Sequence, residues 1–197
     1  MSPTAHPRAQ AATRQGGAPG PSERLLRTAS KLFAAQGIRS VGIDHILREA
    51  GVAKASMYSS YGSKEALVLA YLNDLDHRDR NRWSDAAAGL DDAAAKVLAF
   101  FDLAIEAARA RDFRGCLYAN AATEFPGVVL EPVRAHRDWL HTTIAELLAA
   151  AGLSDPSGVA DEIQLLYDGA LVSSKLQRSV TPIELARRLA RQRIDGS

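Results

Sequence analysis

The sequence predicts an all-helical fold in two parts, on three observations. Apolar residues recur at three- and four-residue spacing along most of the chain, and no run alternates apolar and polar as a half-buried strand would. Glycine, proline and capping residues interrupt the pattern at short intervals, as helix ends require. The charge is unevenly placed: residues 1–64 carry a net +6 and the rest −5, although the 197 residues total only +1. Such asymmetry suggests a nucleic-acid-binding end joined to a solvating remainder. A hydrophobic content of 47% excludes disorder as the main state.

Residues 1–20 are rich in Pro, Gly, Ala, Gln and Ser, so they bury too little to offset chain entropy, and a disordered tail is expected. Arg8 and Arg14 in it could reach a DNA minor groove, a solvated tail being the simpler reading. The tail has no apolar core of a secretory signal. The first helix is expected near Pro21-Ser22, with Ser22 capping its open N–H groups. Leu25, Leu26, Ala29, Leu32 and Phe33 give it an apolar stripe, and Gly37 ends it. Arg24, Arg27 and Lys31 lie off the stripe, as a solvated face with long-range attraction to DNA as a second role.

Residues 42–61 hold two short helical patterns joined by a glycine. In the first, Ile43, Ile46, Leu47 and Ala50 share a face. Gly51 ends it, because the turn needs a positive φ that glycine adopts without a Cβ clash. The second keeps Val52, Met57 and Tyr61 for the interior. Lys54, Ser56, Tyr58, Ser59 and Ser60 remain outside, a cationic, hydroxylic and aromatic set without a carboxylate, suited to phosphates and base edges. This is the spacing of a helix-turn-helix, which alone is also a common packing corner.

Residues 22–64 resemble the DNA-binding domain of the tetracycline-repressor (TetR) family. The match runs through Leu32-Phe33, Gly37, Ile46, Ala50-Gly51-Val52, Lys54, Ser56, Met57-Tyr58, Tyr61 and Ser63-Lys64-Glu65-Ala66-Leu67. The resemblance implies an all-helical dimeric transcription regulator, usually a repressor, with a larger C-terminal domain that binds an inducer. Lys54, Ala55, Ser56 and Ser60 are the expected base-edge readers, from the turn of the second helix that enters the major groove. Tyr58, Ser59 and Lys64 are expected on phosphates, with the backbone N–H groups of Gly42 and Ile43. Two positions depart from the family pattern: Gly42 stands for a usual threonine or serine, and Ala53 for a frequent serine, each removing a hydroxyl that could contact phosphate.

Ser63 is expected to cap the next helix, with Glu65 in its first turn and Leu67, Val68, Tyr71, Leu72 and Leu75 on one side. The charge run Asp76-His77-Arg78-Asp79-Arg80 reads as a solvated connecting helix. A helix over residues 91–110 uses Val97, Leu98, Phe101, Leu103 and Ile105. After Asp112-Phe113-Arg114-Gly115 a short helix carries Cys116, Leu117, Asn120 and Ala121. Val129, Val133, Leu140, Ile144, Leu147 and Leu148 mark a long helix ending at Gly152. Asp155 caps the next, and Thr181-Pro182-Ile183-Glu184 reads as a capping box opening the last. The expected division is a tail at 1–20, a DNA-binding domain at 21–80 and a regulatory and dimerisation domain at 81–197.

Chemistry in the C-terminal part is weaker in the sequence. Cys116, Tyr118, Asn120, Glu124, His136, Trp139, Tyr167 and Asp168 are polar or aromatic residues among apolar helices and are candidates to line a ligand chamber, ordinary core positions explaining most of them equally well. Cys116, after Arg114 at a helix start, could be a thiolate sensor, a buried inert cysteine being the plainer reading. The stripe Val159, Ile163, Leu166, Ala170 and Leu171, with Leu185 and Leu189, is the expected dimer interface, since the resemblance implies that the last two long helices pair with their mates. His136 and His141 are five residues apart and do not converge on a metal. No cofactor is expected, and no phosphate loop, dinucleotide fingerprint or nucleophile elbow supports an enzyme.

The expected function is a ligand-responsive transcriptional regulator, a repressor that binds a near-palindromic double-stranded DNA operator as a homodimer and is released by an unknown small-molecule inducer. Its expected location is the cytoplasm, since a single cysteine argues against a disulfide-built domain and no apolar run is long enough to span a membrane. The alternatives are a helix-turn-helix regulator without a ligand, and a helical binding protein or enzyme that has lost DNA contact.

Overall fold

The structure, a computed structural model, describes residues 19–196, so the expected tail with Arg8 and Arg14 falls almost wholly outside the described residues. Among these, all regular structure is helical: α1 (Pro21–Gln36), α2 (Ile43–Ala50), α3 (Lys54–Tyr61), α4 (Lys64–Ala87), α5 (Ala93–Ala110), α6 (Leu117–Glu124), α7 (Glu131–Ala150), α8 (Pro156–Gln177) and α9 (Thr181–Asp195).

The ends of these helices follow from local chemistry. Gly51 closes α2 in the left-handed region, at φ 61°, and Val52 N–H donates to the Leu47 carbonyl at 3.1 Å. Ser63 caps α4 by accepting the Ala66 N–H at 3.1 Å, Asp92 caps α5 through Ala94 and Ala95, and Asp155 caps α8 through Gly158. Two expected caps are corrected. Gly20 occupies the N-cap of α1 with Pro21 opening the helix, and the Ser22 hydroxyl instead donates to the Tyr61 phenol at 2.9 Å. Thr181 lies inside α9 behind Val180, and its N–H donates to Ser179 Oγ, so no capping box forms.

Two apolar clusters hold the chain together. The first joins α1–α4 through Leu25, Phe33, Ile46, Met57, Leu67 and Leu72, and it also takes in Leu117, Tyr118 and Ala121 of α6 and Leu130. The second joins α5, α7, α8 and α9 around Val97, Phe101, Ile144, Ile163 and Ile183. Val129, expected in the α7 stripe, precedes that helix and is exposed.

The charge run on α4 is not a solvated face throughout. Asp76 is buried, accepting from Arg80 Nε at 2.7 Å on its own helix and facing His136 Nδ1 of α7 at 2.9 Å. Asp79 accepts the Tyr118 hydroxyl of α6 at 3.0 Å. An acid in this run is thus a bracket between helices distant in sequence. Arg24, expected to be solvated, donates to the Pro19 and Ala50 carbonyls and so pins the start of α1 against the end of α2.

Candidate nucleic-acid interface and regulatory chamber

The α3 helix buries little of itself. Met57 is 1% exposed and anchors it, Tyr61 is half-buried against α1, and Lys54, Ala55, Tyr58, Ser59 and Ser60 are exposed. A helix whose exposed face exceeds its buried one is held out for contact, since packing alone would not favour it. Ser56 is half-buried, and its carbonyl accepts the Ser59 hydroxyl at 3.0 Å. Neither α2 nor α3 has a side-chain cap, because Gly42 and Ala53 supply none, so the N–H groups of their first turns are not taken by capping side chains.

Two expectations about this face change. A carboxylate does sit beside it, for Asp44 of α2 lies 3.6 Å from Lys54 Nζ. Both groups are exposed, so solvent weakens the pair and a phosphate can compete for the ammonium. Lys64, expected on phosphate, is half-buried and donates to the Ile38 carbonyl at 2.9 Å. One of its three N–H donors is therefore spent inside the protein.

A cavity opens between α4, α5, α6, α7 and α8. It collects Cys116, Tyr118, His136, Trp139 and Tyr167 of the expected chamber residues. Asn120, Glu124 and Asp168 lie elsewhere. Asn120 donates to the Arg114 carbonyl and accepts from Lys175, Asp168 pairs with Arg137 at 2.6 Å, and Glu124 accepts backbone N–H groups of Ile38 and Arg39. Asp79, Arg82, Trp83, Phe100 and Arg111 also line it and were not anticipated. Trp83, a lone aromatic among polar residues of α4, was the one visible signal.

Aromatic rings shape the walls. Trp83 stacks on Phe100 at 5.0 Å, Trp139 meets both rings edge-on, and Tyr118 stacks on His136 at 3.8 Å. Burial pushes the Tyr118 and Tyr167 phenols well above their ordinary range, so both stay neutral. Burial lowers the His136 pKa despite the pull of Asp76, which keeps the ring neutral. Burial likewise raises the Cys116 thiol, and Sγ accepts the Ala119 N–H. The helix start therefore does not make Cys116 a ready thiolate, which favours the plainer reading of a buried, inert cysteine over the sensor alternative.

The expected dimer stripe is also corrected. Val159 and Ile163 are 1% and 0% exposed and belong to the chain's own second cluster, as do Ala170 and Leu171, while Leu166 is half-buried against it. The apolar side chains left outside are Leu165, Val172 and Leu176 on α8, at 75%, 52% and 79% exposure, with Leu185 and Leu189 on α9. A groove between the two helices runs past Leu166 and Ala170 to Leu185 and Leu189. Periodicity located an apolar stripe but not the body that covers it.

A short helix held out beyond a glycine turn, on a head joined by a long helix to a helical body with an aromatic-walled cavity, defines a helix-turn-helix DNA-binding regulator. The chain belongs to the tetR family of bacterial regulatory proteins: the pattern described as "Bacterial regulatory proteins, tetR family" matches residues 25–71, and "Tetracyclin repressor-like, C-terminal domain" matches residues 93–190. The crystal structure of SCO4454, a TetR-family transcriptional regulator from Streptomyces coelicolor, is 34% identical over 89% of this chain and 93% of its own, with a TM-score of 0.76. The HTH-type transcriptional regulator LmrA of Bacillus subtilis is 25% identical over 82% of this chain and 89% of its own. The transcriptional regulator AcuR of Cereibacter sphaeroides is 29% identical over 86% and 84%. Among the described residues no helix is long and apolar enough to cross a membrane, and no cluster of three metal-ligating side chains occurs.

Proposed function

We propose that this TetR-family regulator is a cytoplasmic repressor that binds a near-palindromic operator as a homodimer and is released when a small molecule fills the cavity. The observation that carries the reading is the exposure of the Lys54–Ser60 face around the single buried anchor Met57. Lys54, Ala55, Ser56 and Ser60 read base edges, and Tyr58, Ser59, the free donors of Lys64 and the N–H groups at Gly42 and Ile43 hold phosphates. Residues 21–80 form the DNA-binding domain and 81–197 the regulatory one.

The dimer seam is the outer face of α8 and α9. Leu165, Val172 and Leu176 are spaced by seven and four residues, which puts them on one side of α8, and Leu185 and Leu189 continue it on α9. A patch of this kind on a soluble helical body is an association surface. A two-fold pair across it presents two α3 helices to successive major grooves. A ligand that favours another spacing of the pair lowers operator affinity by its differential binding to the two states.

Binding selection from random DNA, followed by footprinting, tests the reading. A selected site with two inverted half-sites is expected, and a pool without enrichment overturns it. Sedimentation of Leu176→Asp separates the seam from the DNA face: a monomer with intact helical circular dichroism is expected, whereas an unchanged dimer would move the interface elsewhere.

A further inference from the structure

The charges that line the cavity are unequal and incompletely matched. Arg82 and Arg111 both face Asp79, with nitrogen to oxygen distances of 3.9 and 4.0 Å, beyond hydrogen-bond reach. Arg82 also lies 3.5 Å from Glu106, which is exposed, sits outside the lining and is screened by solvent. Among the described residues, neither guanidinium donates a hydrogen bond. Four arginines elsewhere show what a full match looks like: Arg80, Arg134, Arg137 and Arg187 each donate to a carboxylate at 3.1 Å or less. Asp79 takes its hydrogen bond from Tyr118 instead.

The second observation is the Tyr167 phenol, which lines the cavity and has no hydrogen-bond partner among the described residues. Its ring is fixed edge-on against Phe101 at 5.4 Å. Kept neutral by burial, it offers an O–H donor. With His136 also neutral, the lining carries two cationic groups against one carboxylate. Trp83, Phe100 and Trp139 also line the cavity, Trp83 stacked on Phe100 and Trp139 edge-on to both.

Resting on the reading of this cavity as the inducer site, we propose that its ligand is a planar aromatic monocarboxylate, its ring against Trp83, Phe100 and Trp139 and its carboxylate held by Arg111 and the Tyr167 hydroxyl. A guanidinium presents two parallel N–H groups to a carboxylate, so Arg111 supplies both charge and orientation. An uncharged ligand of the same shape would cover two half-solvated guanidinium groups without replacing the hydrogen bonds they lose. A cationic ligand would meet like charge. Arg82 at the same wall adds attraction, and Asp79 stays occupied by Tyr118.

The chain's only two tryptophans, Trp83 and Trp139, both line the cavity, so its intrinsic fluorescence reports occupancy there. The full-length protein is titrated by calorimetry and fluorescence with benzoate, cinnamate and 2-naphthoate, each beside its primary amide. At least one acid is expected to bind about tenfold or more tightly than its amide, as a charge-assisted bidentate contact should give. Arg111→Gln should erase that preference and leave the amide's affinity unchanged, and Arg111→Lys should restore part of it. If Arg111→Gln loses its helical circular dichroism, Arg82→Gln is expected to narrow the same gap. Equal binding of acid and amide would overturn the anionic class and leave the inducer site standing. Failure of every acid and amide to bind or to change the fluorescence would overturn both.

Discussion

The carboxylate of Glu124, at the last residue of α6, accepts the backbone N–H of Ile38 at 3.0 Å, and its other oxygen accepts that of Arg39 at 2.5 Å. These two N–H groups lie in the loop that leads into the helix-turn-helix, and they take an anion as the start of a helix would. The α6 helix also carries Cys116 at its N-cap and Tyr118 in its first turn, both on the cavity wall. One helix of eight residues therefore touches the chamber at one end and the DNA-binding head at the other.

Glu124→Ala should lower stability by about 1–3 kcal/mol, because it leaves two backbone donors without their charged acceptor. Thermal or urea unfolding measures this. In the repressor reading, the same variant should bind operator with a weaker response to inducer, and a full response would show that signal travels by another route.

Gly37→Ala should also destabilise, by about 1–3 kcal/mol, since Gly37 sits at φ 90° and ψ 157°, a region open almost only to glycine. A Cβ there would meet Glu124 Oε1 at 3.1 Å. The double variant Gly37→Ala with Glu124→Ala should lose less than the sum of the two single losses, because the contact is removed once. Strict additivity would mean that backbone strain alone sets the effect.

Lys54 and Lys64 should separate cleanly. Lys54→Met is expected to leave stability within about 1 kcal/mol, since its exposed pair with Asp44 contributes little, while relaxing base discrimination at one position of each half-site. Lys64→Met should cost about 1–3 kcal/mol of stability through the lost bond to the Ile38 carbonyl. Equal unfolding midpoints for the two variants would contradict the internal role of Lys64.

Acidification should destabilise the fold through His136, whose pKa lies below its ordinary 6.5 because burial disfavours the charged ring. The unfolded chain takes up the proton first, so this contribution is fully present above 6.5 and is lost as pH falls from there toward the lowered folded value. His136→Gln should flatten the fall in melting temperature over that window. A steeper or unchanged fall would point to the neighbouring carboxylates as the source.

The parts of this molecule that were legible in the sequence are those fixed by residues close together in the chain. The Ala50-Gly51-Val52 turn, the Ser63 and Asp155 positions and the anchor Met57 depend on steric and hydrogen-bonding rules that act within a few residues. Asp76, Asp79 and Glu124 gave no such signal, because their partners His136, Tyr118 and Ile38 lie 60, 39 and 86 residues away. The α8 stripe failed for a different reason. Val159, Ile163 and Leu171 form the cleaner helical period, yet they serve the chain's own core, and the outward Leu165, Val172 and Leu176 look irregular beside them.

The first apolar cluster draws Leu117, Tyr118, Ala121 and Leu130 from beyond α5 into the same body as Leu25, Leu67 and Leu72. A fragment ending near residue 80 would thus keep every helix of the DNA-binding motif and still lack one wall of their core. The head is not an independent module. Grafting it onto the body of another regulator would require α6 and the turn before α7 to travel with it, because one apolar cluster takes side chains from both sides of the boundary drawn along the sequence. Recombination between relatives at the α4 junction should accordingly yield chains that recognise DNA weakly for want of a foundation, however intact their contact residues.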